Sequence, residues 1–294
     1  MATDRSAARA VDAARSLLFV PGDRADRFDK AAASDADLVV CDLEDAVAPT
    51  GKESARADVA AWLDRGGSAC VRVNATGTRE GPDDVVALRA RSGLVAVMVP
   101  KSEDPAALTS VAVALDVPVI ALVESAIGIH RAYEIAGAHG VARLAFGSID
   151  YALDLGSGDD ELALLHARSV LVLASRVAGI PAPVDGVTTD LDDDAAAGAD
   201  AAAARRLGFG GKLCLHPRQV GAVNAAMTPS ASEVAHAIRV LDTVGDGPAT
   251  RLDGQMIDRP VVERAREIVR RARLFAGPTA DDGVRHGADE GGQS

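Results

Sequence analysis

Short apolar runs that alternate with longer amphipathic stretches constrain the fold of this chain more than any other feature. Most of the runs consist of Val, Leu, Ile and Ala without polar alternation, which is typical of parallel strands buried on both faces. We predict strands at Leu17–Val20, Leu38–Asp42, Ala69–Val73, Val95–Val99, Val119–Val123, Arg143–Phe146, Ala182–Val184 and Lys212–Leu215. We predict helices between them at Arg24–Ser34, Lys52–Leu63, Asp83–Arg91, Asp104–Leu115, Ser125–Ala138, Asp160–Ala178 and Asp192–Leu207.

The alternation of strands with helices predicts an α/β fold, a TIM (β/α)8 barrel. An open doubly wound sheet is the alternative. We favour the barrel because the first predicted strand is followed by the sequence VPGDR at 20–24, a turn and a helix start. A doubly wound dinucleotide-binding sheet would have a glycine-rich fingerprint at this place.

The predicted domain organisation has four parts. They are a flexible N-terminus at 1–15, the barrel at 16–228, a C-terminal helical arm at 229–276 and a disordered tail at 277–294. Within the arm, helices are predicted at Ser232–Val244 and Pro260–Phe275, on either side of a long loop at Gly245–Asp258. We expect the arm to pack on its own barrel or on a neighbouring subunit.

The charge balance and the aromatic content argue against some classes of partner. The chain has 43 acidic and 31 basic residues, a formal charge of −12, and only 3% aromatic residues. Nucleic-acid binding needs a concentrated basic surface or stacking platforms, so no nucleic-acid partner is predicted. No apolar run reaches the roughly 18 residues of a membrane helix, and the N-terminus lacks the apolar segment of a secretory signal.

The three cysteines, Cys41, Cys70 and Cys214, are far apart, and each lies in an apolar run. Because there is no Cys-X-X-Cys pair, the sequence predicts neither a zinc knuckle nor a disulfide framework. Buried free thiols suit a reducing compartment, and we therefore predict a cytoplasmic protein.

Polar side chains follow the predicted strands at their C-terminal ends, where barrel enzymes carry their catalytic groups. Carboxylates follow strands two, five, six and seven, at Asp42, Glu44, Asp45, Glu124, Asp150 and Asp185. So many anions in a small volume repel one another, which raises some of their pKa values. A hard divalent cation relieves this repulsion, and oxygen ligands completed by water suit Mg2+ or Mn2+. The sequence therefore predicts a metal site at the mouth of the barrel.

Three of these carboxylates also have a plainer structural interpretation. Glu124 precedes a predicted helix and could serve as a partner of the helix dipole. Asp150 could cap a helix over 151–155, and Asp45 could be a turn residue. These alternatives stay open at the level of the sequence.

Other polar residues at the strand ends admit two interpretations as well. Arg72 lies in an apolar strand, so either a structural carboxylate or an anionic ligand must hold its charge. Lys101 fits a Schiff-base lysine, but an anchor for its loop is favoured. His216 is expected to be a satisfied side chain at the barrel mouth and not a catalyst. No paired histidines occur at helical spacing, which disfavours a zinc hydrolase.

Together these motifs resemble the citrate lyase β-subunit-like family, a group of CoA-ester lyases within the HpcH/HpaI aldolase superfamily. The motifs are LLFVPGDR at 17–24, DLEDAV at 42–47, VRVN at 71–74, ALVES at 121–125, FGSID at 146–150, HPRQ at 216–219 and GQMID at 254–258. The resemblance extends from Ser16 to Phe275 and keeps the motifs in the order of the family.

The resemblance implies a TIM barrel whose Mg2+, or Mn2+, is bound by Glu124 and Asp150. Glu44 and Asp45 would hold water at the metal, and Glu124 would also contact the substrate. It further implies that Arg72 contacts the 2-oxo acid and the thioester carbonyl as a catalytic group.

The resemblance also implies a role for residues outside the metal site. Phe19 would lie beside the substrate, and Arg24 and Lys30 would lie near the phosphates of CoA. Asp258 matches the catalytic acid/base of the family, which the C-terminal arm of an adjacent subunit delivers. A homotrimer or hexamer is therefore expected.

The implied reaction is Mg2+-dependent cleavage of a 3-hydroxyacyl-CoA of the citryl-, citramalyl- or malyl-CoA type to acetyl-CoA and a 2-oxo acid, or the reverse condensation. Three alternatives remain at this point. They are a 2-oxo acid aldolase that does not use CoA, a malate synthase-like thioesterase, and a subunit of a citrate lyase complex.

Overall fold

The computed structural model describes residues 10–244, 250–252 and 255–275. These residues fall into two compact units, which divide between Met227 and Thr228. Each unit is described by itself below.

The first unit is a closed barrel of eight parallel strands, each paired with the next in sequence order, and the eighth pairs with the first. The strands are β1 (Ser16–Pro21), β2 (Leu38–Asp42), β3 (Ala69–Arg72), β4 (Leu94–Val99), β5 (Val119–Val123), β6 (Val141–Phe146), β7 (Val184–Asp185) and β8 (Gly211–Cys214). The prediction of a TIM barrel is confirmed, and the open doubly wound sheet is excluded because β1 pairs with both β2 and β8.

Helices cover the outside of the barrel. Residues 10–13 are helical (α1), and the further helices are α2 (Phe28–Ala32), α3 (Lys52–Asp64), α4 (Glu80–Leu88), α5 (Pro105–Leu115), α6 (Ala126–His130), α7 (Ala132–Ala136), α8 (Ser148–Leu155), α9 (Glu161–Ala178), α10 (Asp194–Leu207) and α11 (Pro217–Met227). Two 3-10 turns lie at Ala25–Arg27 and Pro49–Gly51.

Acidic or hydroxyl side chains begin several of these helices, as the sequence predicts. Asp104 accepts a hydrogen bond from Ala106 N, and Ser125 accepts one from Gly128 N. Asp160 and Asp193 cap α9 and α10 in the same way. These side chains satisfy backbone donors that have no partner within the first turn of a helix.

The strands separate two apolar layers. Alternate residues such as Cys70, Ile120 and Leu213 fill the interior of the barrel, whereas their neighbours pack against the surrounding helices. Every residue of β5 is buried. Because both faces of each strand are covered, the strands have no polar alternation in the sequence.

The N-terminal segment differs from its prediction as a flexible region. Val11 and Ala14 are buried, and Arg143 of β6 donates from Nη1 to the carbonyl oxygens of both residues, at 2.8 and 2.7 Å. Arg143 also donates from Nε to the carbonyl of Ala182. This buried guanidinium holds residues 11–14 against the barrel, and residues 1–9 lie outside the described part of the chain.

The helices of the structure differ from the prediction at two places. The single helix predicted at Ser125–Ala138 is two short helices, α6 and α7, which meet at Arg131. The helix at Pro217–Met227 was not predicted. The signal for it was Pro217, because proline is favoured at the first position of a helix, where the backbone N–H makes no hydrogen bond within the helix.

The second unit contains α12 (Ala231–Val244), β9 (Thr250–Leu252), β10 (Gln255–Ile257) and α13 (Arg259–Phe275). Its apolar core is formed by Ala237, Val240, Ile257, Val262 and Ala265. The predicted loop at Gly245–Asp258 is wrong in part, because β9 and β10 pair as antiparallel strands within it. The predicted tail at 277–294 lies outside the described residues.

Within the part of the chain that the structure describes, no helix combines the length and the apolar character needed to cross a bilayer.

Candidate active site

A cavity of about 380 Å3 lies at the C-terminal ends of the barrel strands. It is lined by Phe19, Pro21, Asp42, Asp45, Ala46, Arg72, Leu122, Glu124, Phe146, Gly147, Ser148, Ile149, Asp150, Val187, Leu213 and Leu215. The floor and much of the wall are apolar, whereas the charged groups come from the ends of β2, β3, β5 and β6. The structure therefore brings Phe19, Asp45, Arg72, Glu124 and Asp150 into one cavity, as the sequence predicts for strand ends of a barrel.

Asp42 holds Arg72 in place. The two residues are direct neighbours in the register of β2 and β3. Arg72 donates from Nε to Asp42 Oδ1 at 2.7 Å and from Nη2 to Asp42 Oδ2 at 2.6 Å. The same two oxygens accept backbone hydrogen bonds from Glu44 N and Ala46 N, at 2.9 and 3.1 Å. A structural carboxylate thus pairs with Arg72, while one edge of the guanidinium lines the cavity.

Asp42 lines the cavity in a role that the motifs do not predict. It is one of several carboxylates after strand two, and the sequence predicts no partner for it. The available signal was that neighbouring parallel strands end in Asp42 and Arg72, because such strands place their last residues side by side.

Glu44 lies beside Arg72 and Lys101. Its Oε1 accepts a hydrogen bond from Lys101 Nζ at 3.1 Å, and its Oε2 lies 3.0 Å from Arg72 Nη1. The Oε2 atom is buried and accepts no hydrogen bond, so its contact with Arg72 is an ion pair only. Burial raises the pKa of Glu44, and Arg72 opposes the shift. Asp45 is exposed and lies 3.8 Å from Arg72 Nη1.

Glu124 is the most deeply buried carboxylate of the cavity wall after Asp42, with 4% of its surface exposed. Its Oε1 accepts a hydrogen bond from the backbone N of Lys101 at 2.7 Å. Burial raises the pKa of Glu124 to about 8, and the neighbouring charges of Glu44 and Asp150 act in the same direction. Ser125, and not Glu124, caps helix α6.

Gly147 leaves room for the Glu124 carboxylate. A Cβ atom at position 147 would lie 2.5 Å from Glu124 Oε2, which is closer than real Cβ contacts allow. The absence of a side chain therefore lets the carboxylate reach the cavity at this point.

Asp150 lies in the first turn of α8, which begins at Ser148. The alternative that Asp150 caps a helix over 151–155 is wrong, because the helix starts two residues before it and its N-cap position is Gly147. The helix start instead turns the Asp150 carboxylate toward the cavity that Glu124 lines.

Phe19 and Arg72 are in contact. The Cζ atom of Arg72 lies 4.8 Å from the centroid of the Phe19 ring, within the range of a cation–π interaction. Burial opposes the charge of Arg72, but its hydrogen bonds to Asp42 and the charges of Glu44 and Asp45 raise its pKa overall. Arg72 is therefore a fixed positive charge in the cavity.

Four predicted site residues do not line this cavity, and the first of them is Glu44, which lies beside Arg72 and Lys101 as described above. The others are Arg24, Lys30 and Asp258. Arg24 is paired with Asp26 through two hydrogen bonds of 2.8 Å, and Lys30 is exposed on α2. Asp258 lies in the second unit, where it is exposed and accepts a hydrogen bond from Val261 N at the start of α13. The roles of these residues stay predictions.

Asp185 was expected at the mouth of the barrel, but it does not line the cavity. It is buried and accepts hydrogen bonds from Arg168, at 2.9 and 3.3 Å, and lies 3.6 Å from Lys212 Nζ. Its charge is therefore used in an ion-pair network between β7, β8 and α9.

Lys101 and His216 have the structural contacts that the plainer interpretations expect. The hydrogen bond to Glu44 and the nearby carboxylates outweigh burial and raise the pKa of Lys101, which disfavours a neutral, nucleophilic amine. His216 Nδ1 accepts a hydrogen bond from Arg218 N at 3.2 Å.

The carboxylates of the cavity fit a small hard cation. Among the described residues, no three Asp, Glu, His or Cys side chains form a complete protein cage for a metal. Mg2+ does not need one, because it is commonly held by one or two carboxylates together with water and substrate oxygens. Glu124 and Asp150 would supply the carboxylates, and Glu44 Oε2, which faces Arg72 Nη1 without a hydrogen bond, has acceptor capacity left.

Comparison with known proteins places the chain in a family. The family model described as HpcH/HpaI aldolase/citrate lyase matches residues 15–217. A citrate lyase subunit beta-like protein of Deinococcus radiodurans is 38% identical over 276 residues, which cover 87% of this chain and 96% of the relative. A (3S)-malyl-CoA thioesterase of Cereibacter sphaeroides is 33% identical, with coverage of 89% and 95%.

A solved structure with the same architecture contains ligands. It is the crystal structure of the protein CitE from Mycobacterium tuberculosis in complex with magnesium, acetoacetate and coenzyme A. The match has a TM-score of 0.79 and 36% sequence identity, and it covers 89% of this chain and 98% of the other. The resemblance stated from the sequence motifs is confirmed, and the chain belongs to the HpcH/HpaI aldolase/citrate lyase family.

Proposed function

We propose that the chain is a Mg2+-dependent CoA-ester lyase. It cleaves the carbon–carbon bond of a 3-hydroxyacyl-CoA to acetyl-CoA and a 2-oxo acid, or catalyses the reverse condensation. The observation that carries the proposal is the buried Glu124 carboxylate, which shares one cavity with Asp150 and the Arg72 guanidinium. The CitE relative, with bound magnesium and coenzyme A, supports it.

Glu124 and Asp150 would hold the metal, and Mn2+ would fit the same ligands. When bound, the ion supplies a Lewis acid that polarises the hydroxyl and carboxylate oxygens of the substrate. Glu44 and Asp45 accept hydrogen bonds from water at the edge of the site. Glu124, whose carboxylate accepts a hydrogen bond from Lys101 N, would also contact the substrate.

Arg72 stabilises the charge that develops during cleavage. A base takes the proton of the 3-hydroxyl group, whose oxygen becomes the carbonyl of the 2-oxo acid as the carbon–carbon bond breaks. The electrons of that bond move toward the thioester oxygen, which becomes negative. The guanidinium lines the cavity with a charge that Asp42 orients. A preorganised charge of this kind stabilises the transition state because the site does not have to reorganise during the reaction. Phe19, which is in contact with Arg72, forms the adjoining wall beside the substrate.

Asp258 is proposed as the acid that protonates the enolate carbon, and in the reverse direction as the base that removes this proton. Its exposure in the second unit is compatible with delivery to a neighbouring molecule. The proposed active form is a homotrimer or hexamer, as the family resemblance implies. Arg24 and Lys30 are proposed to bind the CoA phosphates, which requires Arg24 to exchange its partner Asp26 for the ligand.

The test is to incubate the purified chain with Mg2+ and a panel of citryl-, citramalyl- and malyl-CoA, with and without EDTA. Release of acetyl-CoA together with oxaloacetate, pyruvate or glyoxylate identifies the substrate, and EDTA should abolish the release. Lack of cleavage across the whole panel would contradict the lyase proposal. The same panel with free hydroxy acids tests the aldolase alternative, and activity of the isolated chain argues against a purely auxiliary subunit.

Asp258→Ala tests the acid/base role. We expect Mg2+ and ligand binding to persist while turnover falls by about two to four orders of magnitude, the usual contribution of a general acid or base. Asp242→Ala is the matched control, because Asp242 is another exposed carboxylate in the second unit. Equal turnover in the two variants would refute the role assigned to Asp258.

A thioesterase is the second candidate, since the relative from Cereibacter sphaeroides has that activity in its name. The two candidates differ in the fate of CoA. A lyase releases acetyl-CoA, whereas a thioesterase releases a free thiol, which a disulfide reagent detects. Release of stoichiometric free thiol from malyl-CoA without a 2-oxo acid would favour hydrolysis.

A further inference from the structure

We propose that Lys101 is a positioning residue for the metal site: its backbone N–H orients Glu124, and its ammonium group couples that orientation to Glu44. The inference rests on the proposed function, because it takes Glu124 as a metal ligand. It assigns Lys101 a role other than the Schiff base and the simple loop anchor considered from the sequence.

The backbone of Lys101 has an unusual conformation. Its φ is +48°, in the left-handed region that residues with a Cβ rarely adopt. The following residue locks the turn, since Ser102 N donates to the Leu122 carbonyl and Ser102 Oγ donates to the Val99 carbonyl, at 3.1 and 2.8 Å. An unfavourable conformation that its surroundings enforce is often found at a functional site.

This conformation points the backbone N–H of Lys101 toward Glu124. Lys101 N donates to Glu124 Oε1 at 2.7 Å, which ties the end of β4 to the end of β5. Gly147 borders the other oxygen, where a Cβ would come within 2.5 Å of Glu124 Oε2. One carboxylate oxygen is therefore fixed by a hydrogen bond, and the other is directed along the surface that Gly147 leaves open.

The side chain of Lys101 contacts Glu44, which in turn contacts Arg72. Its Nζ lies 3.1 Å from Glu44 Oε1, and Glu44 Oε2 lies 3.0 Å from Arg72 Nη1. Lys101 thus links Glu124, through Glu44, to the guanidinium that contacts the thioester in the proposed reaction. Its backbone sets the orientation of the metal ligand, and its side chain sets the position of Glu44 relative to that ligand.

The experiment separates these two contributions by Mg2+ titration of the complete, substrate-free protein in a calorimeter, followed by steady-state kinetics. Lys101→Val moves the backbone away from the left-handed region, because a β-branched residue is strained there. We expect its Mg2+ dissociation constant to rise about ten- to a hundredfold, as for the loss of a group that orients a metal ligand. Lys101→Asn tolerates the left-handed backbone, so we expect Mg2+ affinity within about threefold of the parent, with a lowered kcat from the lost contact to Glu44.

Ala90→Val is the matched control. Ala90 has a φ of +58° and is exposed outside the cavity, so the same strain is introduced without a link to Glu124. It should lower thermal stability as Lys101→Val does and leave Mg2+ affinity unchanged. Lys101→Gly keeps the N–H and relieves the strain, so it should fold whether or not the Val variant does, and we expect it to retain Mg2+ affinity within about threefold.

The inference is overturned if Lys101→Val binds Mg2+ like the parent, or if Lys101→Gly and Lys101→Asn bind it as poorly as Glu124→Gln. Failure of the proposed function gives a different result: the parent protein would not bind Mg2+, or Glu124→Gln would not weaken binding. A purely structural role of Lys101 would lower the melting temperature in all variants and change the Mg2+ dissociation constant in none.

Discussion

Arg72 retains its charge in a largely buried position because carboxylates surround it. Burial alone would favour the neutral form, but the bidentate pair with Asp42 and the charges of Glu44 and Asp45 reverse that preference and raise its pKa. Removing one partner of such a pair leaves a buried charge without compensation, which is strongly destabilising. Asp42 therefore contributes both to the stability of the strand ends and to the direction of the guanidinium.

The raised pKa of Glu124 predicts that Mg2+ affinity depends on pH. Burial raises this pKa to about 8, so below that pH a proton occupies the carboxylate that we propose as a Mg2+ ligand. Mg2+ affinity should increase by up to about tenfold per pH unit below pH 8 and level off above it, with release of a proton on binding. Calorimetric titrations at pH 6.5, 7.5 and 8.5 in buffers of different ionisation enthalpy measure both effects.

The control for this pH dependence is Glu124→Gln, which should bind Mg2+ weakly at every pH, without the step near pH 8. If the parent protein binds Mg2+ with the same affinity from pH 6.5 to 8.5, the proton on Glu124 does not compete with the metal.

At this scale the shared location of Glu124, Asp150 and Arg72 could be predicted from the sequence, but their hydrogen-bond partners could not. Strand ends of a parallel barrel converge, so Glu124, Asp150 and Arg72 could be placed at one mouth from their positions in the sequence. The hydrogen bond from Lys101 N to Glu124 depends on a left-handed backbone, which the residue type does not signal. Asp185 lies at a strand end as Asp150 does, but it forms an ion pair with Arg168 and does not line the cavity.

At the scale of elements, the buried strands were the most predictable part. A strand such as β5, which is buried on both faces, appears in the sequence as a continuous apolar run. β7 has only two residues, Val184 and Asp185, and its short run was placed two residues early at its start. The break between α6 and α7 and the hairpin of β9 and β10 have no comparable signal, because they depend on local hydrogen bonds and not on periodicity.

We predict that Arg143 contributes to stability by holding residues 11–14 against the barrel. Arg143→Met removes the donors to the carbonyls of Val11, Ala14 and Ala182, which then lose a charged hydrogen-bond partner in a buried place. We expect the free energy of unfolding to fall by about 2–4 kcal/mol. Urea denaturation followed by circular dichroism measures the change.

Arg176→Met is the matched control for this measurement, because Arg176 is an exposed arginine of α9. A loss of stability no larger than that of the control would mean that Arg143 does not hold the segment.

At the scale of the whole molecule, the three cysteines report on global unfolding. Cys41, Cys70 and Cys214 are free and buried in strands β2, β3 and β8. Burial raises the pKa of Cys41 and of Cys214 to about 12 and raises that of Cys70 as well, so none is a thiolate at pH 8. We expect a thiol reagent at pH 8 to modify no cysteine of the native protein and all three in denaturant.

Mass spectrometry after timed alkylation checks this expectation, with free cysteine as the control for reagent reactivity. Rapid modification of any one cysteine under native conditions would show that its strand opens locally without unfolding of the barrel.

Closure of the barrel has a consequence for how the chain is made. β1 reaches its second neighbour only when residues 212–214 are available, and Arg143 must join residues that precede it by as many as 132 positions. Contacts between such distant parts of a chain form slowly. A ribosome-bound chain that stops short of β8 has unpaired strand edges at both ends of its sheet, and such edges promote association between nascent chains.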